Sequence, residues 1–144
     1  MKMIDLKDLR KYFLLELVLS LIIILGLYFC VTGGYGSDED TMPLIGAFES
    51  MMSGGKLMAS RFTPYPVAEL GIGFLSYNFG SAVTNLVTFI FLIIGLVFFY
   101  LALIDEVSKP KLLLFFILCL SNPIIYFDNL EPMDYSWAFL PLAL

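Results

Sequence analysis

The chain has 144 residues, of which 60% are hydrophobic and 15% charged, with a mean hydropathy of +0.90. A soluble domain this small cannot hide so much apolar surface, so a soluble enzyme is excluded and an integral membrane protein is expected. The formal net charge is −5 and there is no His. An acidic balance argues against nucleic acid as a partner, and no Walker-type loop or His-containing triad is present. The two cysteines, Cys30 and Cys119, lie inside apolar runs and read as small core residues.

In chain order, Lys2, Lys7, Arg10 and Lys11 precede a first apolar run over 12–32. Its roughly 21 residues, at ~1.5 Å each, cross the ~30 Å hydrocarbon core. No small-x-small cleavage site follows, so the run reads as a retained span. Glu16 interrupts it near one end, where the carboxylate can reach head groups, Lys11 or another basic neighbour. A long loop over 33–80 follows, and connections of that length usually carry function or structure of their own.

The loop opens on Ser37, Asp38, Glu39 and Asp40. Asp40 or Thr41 can cap a short helix that tolerates Pro43 in its first turn and ends at Gly54-Gly55. Leu44, Ile45, Phe48, Met51 and Met52 share one face of it, as in a helix lying in the head-group layer. The stretch from Arg61 to Glu69 is stiffened by Pro64 and Pro66. Pro66 can open a second short interfacial helix through Val67, Leu70 and Phe74, broken by Gly71 and Gly73.

A second span is expected over 81–104, with Asn85 and Thr88 near its loop end. A third run covers 111–127 and is interrupted or ended by Ser121-Asn122-Pro123. A fourth begins near Tyr135 and is still apolar at Leu144, about half of a full span. The chain is therefore expected to be the front part of a longer polytopic protein. The fold class is all-α integral membrane: about four transmembrane helices, the last incomplete, with two interfacial helices in the first outer loop.

Six of the eight basic residues (Lys2, Lys7, Arg10, Lys11, Lys109, Lys111) fall on one side of this arrangement. The positive-inside rule makes that side cytoplasmic in a multi-pass cell-membrane protein. The 33–80 loop and the acidic turn carrying Asp128, Glu131 and Asp134 then share the outer face with Asp38, Glu39 and Asp40.

Adjacent carboxylates repel, so at least one gains from a nearby cation or proton donor. One can serve as general base toward a hydroxyl. Alternatively Asp38 and Asp40 can hold Mg²⁺ or Mn²⁺ against a phosphate. The same cluster reads equally as a solvated loop cap. Arg61 suits a phosphate in two-pronged fashion, or serves as an interfacial anchor or partner to Glu69 or Glu49. Glu69 is a second acidic candidate.

The order of these features resembles the opening of GT-C-type integral membrane glycosyltransferases. The carrying residues are the span, then Asp38-Glu39-Asp40, then Gly54-Gly55, Arg61, Pro64-Tyr65-Pro66 and Ser121-Asn122-Pro123. The family usually has Gly where Thr63-Pro64 stands. The resemblance implies a sugar donor on a polyprenyl-phosphate carrier and an acceptor on the non-cytoplasmic side. It makes Asp38 the base or metal-coupled carboxylate, with Glu39 and Asp40 in support and Arg61 on the carrier phosphate. Two other classes stay open: a non-catalytic membrane subunit, and a transporter or channel fragment with an acidic mouth.

Overall fold

The structure, a computed structural model, describes residues 6–36, 41–55, 66–128, 130 and 137. Among these residues it is all-helical, with α1 (Leu6–Thr32), α2 (Thr41–Met52), α3 (Pro66–Leu103), α4 (Lys109–Ser121) and α5 (Pro123–Asp128). Two stretches, Tyr12–Thr32 of α1 and Val67–Leu103 of α3, are long and apolar enough to cross a membrane. Little of either is buried within the protein. Phe13, Leu14 and Leu21 on α1, and Val97 and Leu101 on α3, point outward and are half exposed or more. In water each such side chain would forgo roughly 1.5–3 kcal/mol of burial.

The α1–α3–α4 core is built around a missing side chain. Gly26 leaves a notch on α1 into which the fully buried Phe89 ring fits, so closely that a Cβ there would lie 2.5 Å from Phe89 Cζ. Tyr126 of α5 meets the Phe89 ring edge-on, with centroids 6.5 Å apart. Its hydroxyl donates to the Ile22 carbonyl at 2.9 Å. Cys30, Leu92, Leu120 and Leu130 complete this cluster, which gives Cys30 the packing role its apolar setting predicted.

Helix α2 starts at Thr41 with Pro43 in its first turn, where no amide donor is needed. It ends in a Schellman motif: Gly54 takes φ 88°, its N–H donates to Met51 O, and Gly55 N–H donates to Ser50 O. Ile45, Ala47 and Phe48 are buried. Helix α2 packs on α3, where Phe48 contacts the rings of Phe74 and Tyr77. Met52, assigned by periodicity to the same apolar face, is instead exposed.

The second interfacial helix and the second span form one element, α3, broken at Gly80 (φ 77°, ψ −176°). That conformation is open essentially to glycine alone. The break is thus not at Gly71 and Gly73, as their sequence positions imply. Both are helical and serve as contact points: a Cβ on Gly73 would strike Phe48, and one on Gly71 would strike Trp137. The third apolar run is likewise divided. Helix α4 has 13 residues, about 20 Å, and Asn122 leaves helical geometry (φ −71°, ψ 118°) before α5 begins at Pro123.

At the opposite end from Gly80, Glu16 pairs with Lys109, a basic neighbour, at 2.8 Å. The pair ties the α3–α4 turn to α1. Donation to the Glu16 carboxylate holds the Lys109 ammonium above its ordinary value. The contribution is therefore complete below that ordinary value and fades only as pH rises through the raised one, leaving neutral pH without effect.

Candidate functional site

The polar side chains of α3 that the protein buries are Glu69, Ser76, Thr84, Asn85 and Thr88. They lie on both sides of Gly80, so the bend gathers the buried polar side chains among the described residues at one end of the helical assembly. Two of them satisfy themselves. Thr84 donates to Gly80 O at 2.8 Å, and Thr88 donates to Thr84 O at 3.0 Å. Both are back-bonds of the kind that Ser and Thr make one turn along a helix.

Asn85 and Ser76 instead reach the chain that leaves α1. The Asn85 amide donates to Cys30 O at 3.3 Å and also to Gly34 O. These carbonyls belong to the last turn and exit of α1, where intrahelical donors run out. Gly34 and Gly36, with φ of 67° and 75°, turn the backbone there. Between them Tyr35 is held by Ser76, whose hydroxyl donates to the Tyr35 oxygen at 2.7 Å. Both arms of α3 thus grip the segment that ends at Gly36. The Asn85 Oδ1 atom is buried without a hydrogen-bond partner among the described residues.

Trp137 closes the elbow. Its ring packs on Ala68, Ile72 and Gly71 of the first arm. It meets Phe91 of the second arm with centroids 4.8 Å apart, and its Nε1–H donates to Thr88 Oγ1 at 3.4 Å. An amphipathic indole suits this junction of apolar and polar surfaces.

Of the sequence candidates, Glu69 is placed. It lies in the first turn of α3, where a carboxylate is favoured by the helix dipole, and it is 4% exposed and engaged in a contact. Asp38, Glu39, Asp40 and Arg61 lie outside the described residues, so neither their association with Glu69 nor the proposed Mg²⁺ or Mn²⁺ ligation by Asp38 and Asp40 is observed. The expected fourth span also lies outside them apart from Trp137. What is placed is the frame on either side of the acidic segment: Gly34 and Tyr35, held by Asn85 and Ser76, and Thr41, which starts α2.

Sequence reasoning noticed Asn85 only as a polar residue near the end of a span, and it missed Tyr35, Ser76, Gly80 and Trp137. A usable signal was present for Asn85, since an amide inside an apolar helix demands partners. Gly80 offered only the general pairing of a glycine with a following Ser. Comparison with protein-family models, characterised proteins and solved structures finds no match.

Proposed function

We propose that this chain is membrane-embedded and forms the N-terminal part of a glycosyltransferase that uses a polyprenyl-phosphate sugar at the non-cytoplasmic surface. The observation that carries the reading is the elbow at Gly80, whose two arms hold the start of the acidic segment through Ser76 and Asn85. Only four residues, three of them acidic, separate Gly36 from Thr41 in the sequence, and that short spacing supports a site near the elbow. Buried Glu69 adds a fourth acidic group on the first arm. The exposed apolar flanks of α1 and α3 support membrane placement, and the distribution of Lys and Arg supports an outward elbow. On this reading the bundle has about four membrane segments, with α2 and the first arm of α3 at the interface.

In this mechanism Asp38 accepts the proton of the acceptor hydroxyl as that oxygen attacks the anomeric carbon. The bond to the carrier phosphate breaks, and configuration inverts. Glu39 and Asp40 raise the local negative potential and so favour a proton on the cluster. Arg61 pairs with the departing phosphate. The oxygen donors of Asp38 and Asp40 suit Mg²⁺ or Mn²⁺, which when bound would supply charge neutralisation at that phosphate. The sequence resemblance supplies the substrate class; the placed residues supply the scaffold.

The test is sugar transfer from a polyprenyl-phosphate donor, in membranes, by the full-length protein that contains this chain. Asp38→Asn is expected to lower turnover by at least about 100-fold, the usual weight of a general base, while membrane insertion is unchanged. Wild-type turnover in Asp38→Asn removes that residue from the site. No transfer by the wild-type full-length protein with any such donor leaves the subunit reading in its place.

A further inference from the structure

At the end of the bundle away from Gly80, α1, α3 and α4 line an open cleft of about 320 Å³ whose walls are almost wholly apolar. Leu19, Ile23, Ile93, Leu96 and Phe116 form its body. Glu16, Lys109 and Tyr100 also line it, and all three belong to the ends of their helices that face away from the elbow. From Tyr100 to Ile93 is seven residues, or about 10 Å along α3. Val97 lines the cavity and is itself half exposed, so the cleft is reached from the side.

We propose that this cleft binds one acyl chain of a phospholipid with a zwitterionic, primary-amine head group of the phosphatidylethanolamine class. The almost wholly apolar lining suits an acyl chain. The polar mouth favours a head group with both charges. Lys109 Nζ and a Glu16 carboxylate oxygen lie 2.8 Å apart, and each side chain is nearly half exposed, so both remain open to a ligand. The lipid phosphate accepts from Lys109, and its ammonium donates to Glu16. Tyr12 lies against the Lys109 ammonium, 5.7 Å from ring centroid to Nζ, and steadies it.

An anionic head group gains less here. In sequence this end carries Lys2, Lys7, Arg10, Lys11, Lys109 and Lys111 against Asp5, Asp8, Glu16, Asp105 and Glu106, which is close to balance. A quaternary amine lacks the N–H that Glu16 would accept. The proposal rests on membrane placement of α1 and α3 and is independent of sugar transfer, because lipid retention is read without turnover.

The test is native mass spectrometry of the full chain, purified in mild detergent, delipidated and then titrated with an equimolar lipid mixture. The mixture contains phosphatidylethanolamine, phosphatidylcholine and phosphatidylglycerol with identical acyl chains. One phosphatidylethanolamine is expected to be retained about tenfold over phosphatidylcholine, the effect of one hydrogen bond to a charged group. Val97→Trp, which fills the cleft from its exposed edge, should abolish retention, and Ile93→Phe should do so where Val97→Trp does not insert. Glu16→Gln should erase the preference while leaving a chain bound. Equal retention of the three lipids, preference for phosphatidylglycerol, or adducts indifferent to both filling variants would overturn the proposal. So would dimers that Val97→Trp dissolves, since they would assign the cleft to a second copy.

Discussion

Asn85 is fully buried on a helix whose neighbouring hydroxyls bond back to their own backbone, yet its amide serves carbonyls 51 and 55 residues away. Asn85→Leu removes both donations and is expected to cost about 1–3 kcal/mol, measured as a lowered unfolding midpoint in detergent. Asn85→Asp should be worse, because a buried carboxylate faces two carbonyl oxygens it cannot satisfy. A neutral Asn85→Leu would contradict the anchoring role. Gly26 works by the opposite device, a side chain left out. Gly26→Ala should cost about 1–3 kcal/mol by forcing Phe89 from its notch, and Phe89→Leu in the same chain should recover part of it. A double-mutant cycle reads the coupling directly, and additivity would deny the contact. At this scale the sequence exposed the unusual residue and hid its partner. Asn85 stands out within an apolar run, but nothing local names Cys30 or Gly34 as its acceptors. Cys30 was legible as core because a thiol in such a run packs as a small apolar side chain, though nothing local showed that its Sγ donates to Asn85 O at 3.6 Å.

The helices show where local pattern suffices and where it fails. Helix α2 could be drawn from sequence at both ends, since Pro43 and Gly54-Gly55 each have one good place in a helix. Gly71, Gly73 and Gly80 could not be told apart in the same way. The same residue type makes a close approach to Trp137, another to Phe48, and a backbone turn, and only the packing partners distinguish them. Length misled for the third run, whose apolar count exceeds its continuous helix because Asn122 turns extended before Pro123. Gly80→Ala is expected to cost about 1–3 kcal/mol, as L-residues avoid that backbone region, and to depress transfer by the full-length protein through loss of the elbow. Gly46→Ala is the matched control. It sits in α2 with nothing within 4 Å of an added Cβ and should stabilise by up to about 1 kcal/mol. Equal effects from the two substitutions would deny Gly80 its special conformation.

Across the whole molecule, charge and packing divide the chain into two unlike ends. Glu16 and Lys109 lock one end, while Tyr35, Ser76 and Asn85 lock the other around the root of the acidic segment. The gathering of Lys and Arg near the first end was visible in the sequence, as was the acidic cluster; the grip on Gly34 and Tyr35 was not, because it joins the exit of α1 to both arms of α3 across more than 40 residues. The functional account needs the second end to face away from the cytosol. In a background with Cys30→Ala and Cys119→Ser, a membrane-impermeant maleimide applied to intact cells tests this directly. Ser37→Cys is predicted to be labelled at once and Ser108→Cys only after permeabilisation. Protection of Ser37→Cys together with prompt labelling of Ser108→Cys would place the carboxylates in the cytosol and contradict the account.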